Sequence, residues 1–129
     1  MISLEDKALE KAKAARENSY SPYSGFRVGA AVISGDDRIF AGTNIENRSY
    51  GLTICAERSA IFSAVSKGVR TLRHLVLITD SEKFITPCGA CLQVLSEFAS
   101  DMQIESCNKK GEKQRFSLKE LLPKSFKLE

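Results

Sequence analysis

The chain has 129 residues, 43% of them hydrophobic, and a formal net charge of +3 from 19 basic and 16 acidic side chains. That length supports one ordinary hydrophobic core and a single domain, residues 1–129. So mild a charge, with no basic stretch interleaved with aromatics, excludes a nucleic-acid footprint, and no apolar run is long enough to span a membrane.

Met1-Ile2-Ser3-Leu4-Glu5-Asp6 lacks the charged-then-apolar layout of a signal peptide, so a soluble cytoplasmic protein is expected. Ser3, with Asp6 three residues on, predicts a helix start. Residues 4–18, rich in Ala, Lys and Glu, carry Leu9, Ala12 and Ala15 at helical spacing. Pro22 and Gly25 break that helix. Residues 26–33 and 38–43, apolar and β-branched around Gly35-Asp36-Asp37, predict a hairpin. A loop over 44–52 leads to a helix over 55–67, closed by Gly68. The nearly continuous apolar run over 72–79 predicts a central strand covered on both faces.

Thr86 and Pro87 predict the next helix start, a cap hydroxyl followed by a proline at the first helical position, with the helix reaching about residue 98. A strand over 102–107, a polar turn over 108–111 and a short strand near Gln114 follow. Ser117 and Glu120 form a capping box for a last helical turn, which Pro123 ends. The expected fold is α/β: a three-layer α/β/α sandwich with a mixed sheet of about five strands.

Three of the four cysteines stand at 55, 88 and 91. Cys88 and Cys91, three apart, point from one face of a helix, and Cys55 arrives on a separate element. Three thiolates are a soft donor set suited to one tetrahedral Zn2+ per chain, with the fourth position open. Water held there loses its proton near neutral pH, and Glu57 is a carboxylate placed to move that proton. Residues i and i+2 of a regular helix point about 200° apart, so Cys55 and Glu57 converge only if Cys55 is the helix cap. The β-branched approach through Thr53 and Ile54 fits that. Both cysteine segments then meet the metal at helix N-termini, whose dipoles favour thiolate. Three thiolates outweigh one dication, and Arg58, three residues from Cys55, can reach the sulfurs to offset the excess. His74 reads as a strand-edge histidine and Cys107 as a small apolar residue in a strand.

Cys55-Ala56-Glu57-Arg58 followed by Pro87-Cys88-Gly89-Ala90-Cys91 has the form of the zinc nucleobase-deaminase signature in its three-cysteine variant. The chain resembles the cytidine deaminase family, specifically its small three-cysteine branch. The resemblance extends through Phe26-Arg27-Val28-Gly29-Ala30-Ala31, Asn44-Ile45-Glu46-Asn47 and Phe126. It implies hydrolysis of cytidine and deoxycytidine to uridine, deoxyuridine and ammonia, a pyrimidine-salvage reaction. Zinc-activated water would attack carbon 4 of the pyrimidine while Glu57 passes protons to ring nitrogen 3 and to the departing amine.

The same resemblance implies that Phe26 stacks on the base and that Asn44 and Glu46 hydrogen-bond the ribose 3′-hydroxyl. The backbone of Ala56 and of Thr86 would read the base edge, and Arg58 would donate to the sulfurs. Threonine replaces the family's serine at 86, which leaves a backbone contact intact. Tyr50 and Phe126 match aromatics near the family's site, Phe126 from a neighbouring subunit. A homotetramer of D2 symmetry with shared sites follows from the resemblance.

Without the resemblance two other classes stay open. A structural zinc module would recruit Cys107 or His74 as a fourth ligand. A thiol redox protein would use Cys88-Gly89-Ala90-Cys91 but leave Cys55 and Glu57 unexplained. Blasticidin S deaminase shares the zinc pattern, and Asn44-Ile45-Glu46-Asn47 favours a nucleoside enzyme.

Overall fold

Helix α1 (Leu4–Arg16) opens on Ser3, whose side-chain oxygen accepts from the Asp6 N–H at 3.1 Å. Its acidic first turn and basic last turn both oppose the helix dipole. The computed structural model describes residues 2–128. The helix stops two residues before the expected Asn18, where Asn18 and Ser19 fold their N–H groups back onto Ala15 and Arg16.

Strands β1 (Val28–Ser34) and β2 (Ile39–Thr43) form the expected antiparallel hairpin, from Gly29 opposite Thr43 to Ile33 opposite Ile39. Asp37 takes φ 68° at the turn, a left-handed conformation that a short polar side chain tolerates. β1 starts two residues after the expected Phe26. The N–H of Phe26 is bonded to the Ser24 hydroxyl and that of Val28 to the Asn44 side chain, so neither is free for the ladder.

Strand β3 (Leu72–Thr79) pairs antiparallel with β1 and parallel with β4 (Gln103–Cys107), which pairs antiparallel with β5 (Lys113–Ser117). The sheet is mixed, in the order β2-β1-β3-β4-β5. β3 is its centre, as its apolar run predicts. His74 is therefore no edge residue: it pairs with Ile33 on one side and Gln103 on the other, and is 2% exposed. A central strand under a helix has no wet position for it.

Helices α2 (Ala56–Ser66), α3 (Gly89–Phe98) and α4 (Leu118–Leu121) complete the order. One core joins Ala60, Ile61 and Leu95 of α2 and α3 to Leu75, Leu77 and Ile104 of the sheet. A second, on the opposite face, joins Ala8, Leu9 and Ala12 of α1 to Ala31, Val76, Ile78 and Cys107. Three layers result. Helices α2 and α1 approach the hairpin closely at two glycines: a Cβ on Gly42 would lie 2.5 Å from the Ala60 nitrogen, and one on Gly29 would overlap the Ala12 carbonyl.

α2 begins and ends as its sequence predicts, with Gly68 at φ +92° after the C-cap. α3 does not. Its N-cap is Cys88, so Thr86 and Pro87 lie before the helix instead of opening it. Tertiary bonding decides this: the Ile85 N–H donates to Ser106 Oγ on β4, which keeps the approach extended. Ser117 and Glu120 make the expected reciprocal capping box. Among the described residues no helix is long and apolar enough to cross a membrane.

Candidate active site

Cys55 and Cys88 are the N-caps of α2 and α3, each in extended backbone and neither making a side-chain cap bond. Their sulfurs are thus free to turn from the helices toward a common point. Cys91, on the first turn of α3 and fully buried, brings its sulfur within 3.5 Å of that of Cys88. All three sulfurs lie within 4.8 Å of one another. Sulfurs about 2.3 Å from a tetrahedral zinc stand roughly 3.8 Å apart, so this donor set fits one zinc ion. Cys107 lies in the α1-side core, on the far face of the sheet, and behaves as the small apolar residue expected. His74 is also outside the sulfur group, buried within β3. The group among the described residues has three members, which leaves a tetrahedral ion one position for water.

The cap geometry also resolves the placement of Glu57. Because Cys55 is extended and Ala56 is the first helical residue, Glu57 enters the first turn beside the sulfurs, only 5% exposed. Burial first, then the neighbouring Cys55 thiolate, pushes its carboxyl up to about 7. A hydrogen bond from the Cys91 thiol, then one from Arg58, lowers the Cys55 thiol to about 5. Arg58 Nε donates to Cys55 Sγ at 3.1 Å.

Ala56 and Thr86 flank the ligands, one directly after Cys55 and one two residues before Cys88. Ala56, fully buried, offers a backbone N–H at a helix start, where no intrahelical acceptor exists. Thr86 is exposed. Ile45 bridges antiparallel to Ile54 and parallel to Tyr20, which ties Asn44 and Glu46 both to the approach to Cys55 and to the loop over 19–27. Within that loop the pair is already bonded. Asn44 Oδ1 accepts from Ser19 Oγ at 2.6 Å and the Val28 N–H at 3.0 Å, while its Nδ2 donates to the Phe26 carbonyl at 2.7 Å. Glu46 Oε1 accepts the Tyr23 and Ser24 N–H groups at 2.9 and 3.1 Å, and Oε2 accepts the Ser24 hydroxyl. The Ser24 hydroxyl first, then these amides, hold Glu46 below the usual carboxylate range.

Glu46 and Tyr50 border a cleft of about 390 Å³ with Tyr23, Ser24 and Thr53. Phe26, 36% exposed, is carried by the same loop as Tyr23 and Ser24. Tyr50, 75% exposed, meets Tyr23 edge-on, ring centres 5.9 Å apart. Phe126 is 68% exposed, and its backbone exchanges two hydrogen bonds with the side chain of Gln93, two residues past Cys91. Tyr23, Ser24 and Gln93 carry no signal of a site role in the sequence, and Thr53 reads there only as part of the extended approach to Cys55. Pro22 to Gly25 reads as a plain turn, and a glutamine on a helix carries no local signal of a partner 33 residues away.

Comparison with known proteins agrees with this geometry. The family described as the cytidine and deoxycytidylate deaminase zinc-binding region matches residues 2–106. A cytidine deaminase of Sporosarcina psychrophila is 45% identical over 125 residues, covering 96% of this chain and 92% of its own. A crystal structure of cytidine deaminase from Burkholderia pseudomallei superposes with a TM-score of 0.88 at 42% identity, covering 93% of this chain and 97% of its own. A cytidine deaminase structure from Mycobacterium tuberculosis gives 0.80 at 36% identity, over 96% of this chain and 98% of its own.

Proposed function

This chain belongs to the cytidine and deoxycytidylate deaminase zinc-binding family, and from that membership we propose that it hydrolyses cytidine and deoxycytidine to uridine, deoxyuridine and ammonia. One observation carries the reading: three sulfurs, two from helix N-caps and one from the first turn of α3, converge beside a buried carboxylate. Cys55, Cys88 and Cys91 would hold the zinc, which supplies Lewis-acid activation of water. Every other task falls to the chain.

Glu57 takes the water's proton, delivers it to ring nitrogen 3 and then serves the leaving amine. Burial, which disfavours its charged form, suits a group that must both accept and give a proton. Arg58 offsets the negative charge of the three thiolates. Phe26 stacks on the base, and the Ala56 and Thr86 backbones orient its edge.

Asn44 and Glu46 bind the ribose 3′-hydroxyl. A carboxylate has about four acceptor positions, and the loop occupies three on Glu46. Asn44 keeps one amide hydrogen after its bond to Phe26. One acceptor and one donor suit a single hydroxyl, which both gives and takes a hydrogen bond. A phosphate, which only accepts, would be repelled by Glu46.

Tyr50 and Phe126 belong to a site completed across subunits of a homotetramer. Their exposure, with Leu52 at 71% and Phe62 on α2 at 45%, leaves apolar surface for a partner to cover. Residues 1–129 act as one catalytic domain. Four free cysteines fit a reducing cytoplasm.

The test compares rates on cytidine, deoxycytidine, cytidine monophosphates, cytosine, blasticidin S and a short cytosine-containing strand, followed by ultraviolet absorbance. Cytidine and deoxycytidine are expected to lead. Faster turnover of blasticidin S, a nucleotide or the strand would overturn the substrate assignment and leave the zinc chemistry standing.

A further inference from the structure

We propose that Ser24 is a positioning residue that couples the base-stacking half of the site to its ribose-binding half. The proposal rests on the reading that Phe26 stacks on the base and Glu46 receives a ribose hydroxyl. Phe26 lies outside the sheet, so its backbone draws no support from a strand ladder. Both of its backbone groups are instead held by side chains. Its N–H donates to Ser24 Oγ at 3.0 Å, and its carbonyl accepts from Asn44 Nδ2 at 2.7 Å. An N–H bonded to a serine two residues back is common in turns and would be unremarkable alone.

Here the same hydroxyl passes its own hydrogen on to Glu46 Oε2. The Phe26 N–H, the Ser24 hydroxyl and the Glu46 carboxylate thus form one chain of donors ending on a charged acceptor, in which each bond strengthens the next. The chain ends at the cleft. Ser24 and Glu46 both line it, and Oε1 of Glu46 is already filled by two backbone N–H groups. Only Oε2 has an acceptor position left, and the Ser24 hydroxyl occupies its other one. Ser24 therefore decides which acceptor position faces the substrate while it fixes the height of the Phe26 ring. A sugar that bonds Glu46 fixes the position of the carboxylate, and through the Ser24 hydroxyl that of the support under the base. A substrate lacking that hydroxyl gives up part of its stacking as well.

The experiment measures kcat and KM for cytidine, zinc content and melting temperature in wild type, Ser24→Ala, Ser24→Thr, Glu46→Gln and the Ser24→Ala/Glu46→Gln double variant. Loss of a bond to a charged acceptor should raise KM about tenfold in Ser24→Ala, with kcat within about threefold of wild type. Zinc should stay at one equivalent, and Ser24→Thr should recover most of the affinity. In the Glu46→Gln background the Ser24→Ala penalty should shrink below about threefold, because the chain has already lost its end. The same shrinkage is expected in the wild-type background with 2′,3′-dideoxycytidine.

Equal Ser24→Ala penalties in both backgrounds would overturn the coupling, as would an unchanged KM, loss of zinc, or a Ser24→Thr variant as impaired as Ser24→Ala. If Ser24→Ala does not fold, Ser24→Cys, which keeps the side chain but weakens the bond, is read in the same way. An unchanged KM in Glu46→Gln would remove Glu46 from ribose binding and this proposal with it. A raised KM there, with Ser24→Ala neutral, would sink the proposal alone.

Discussion

At Glu57 two forces meet. Burial and the Cys55 thiolate disfavour its charge, and the Arg58 guanidinium favours it. Replacing the carboxylate by an amide keeps the shape and removes the proton carrier. Glu57→Gln should therefore retain one zinc per chain while kcat falls by about 10²–10⁴, the usual worth of one general acid/base. Near-normal turnover would take Glu57 out of the mechanism. The only histidine supports a separate prediction. Burial lowers the pKa of His74, against the opposing pull of Glu105 on β4 and Glu5 on α1, with Arg73 and Arg115 acting in the same direction as burial. The unfolded chain protonates this histidine near its ordinary value of about 6.5, whereas the folded chain does so only at lower pH. Below that value the unfolded state binds more protons, so stability falls as pH drops toward the folded pKa. Melting temperature measured from pH 7.5 to 5 on zinc-loaded protein should fall more steeply for wild type than for His74→Gln. Parallel profiles would refute the account.

The decisive elements are the two helix starts. A cysteine at an N-cap is extended enough to direct its sulfur away from its own helix, and α2 and α3 place two such caps side by side. Cys91, one turn into α3, closes the triangle. Elemental analysis should find one zinc per chain in the wild type and in Cys107→Ala, and markedly less in Cys88→Ala. Zinc kept by Cys88→Ala and lost by Cys107→Ala would reverse the ligand assignment. Metal that binds only the folded chain adds to its stability, so chelation should lower the melting temperature.

For the whole molecule, the question is what covers the exposed aromatics. The Phe126 backbone is anchored on Gln93, yet its ring projects with 68% of its surface free. The proposed tetramer, with partners covering these rings, would account for that exposure. Sedimentation should show a species of four chains, and deletion from Phe126 onward should lower kcat/KM by an order of magnitude or more. A fully active monomer, or unchanged activity after the deletion, would dismiss shared sites.

What the sequence determined by itself is the chemistry that depends on short spacing. The Cys88–Cys91 interval, the nearness of Glu57 and Arg58 to Cys55, the Ser117–Glu120 capping box and the apolar run of β3 are all legible because a helix turn or a strand pleat maps spacing onto direction. Even the need for Cys55 to be a cap follows from the i, i+2 geometry of Glu57. Tertiary structure alone decided the rest. α3 opens at Cys88 and not at Thr86 because β4 holds Ile85 through Ser106. His74 is central because two strands far along the chain flank it. Asn44 and Glu46 turn out to build the Phe26 loop, and Glu46 to line the cleft as well, through bonds spanning 16 to 23 residues. Such pairings depend on which loops the sheet order brings together, and no local period encodes them.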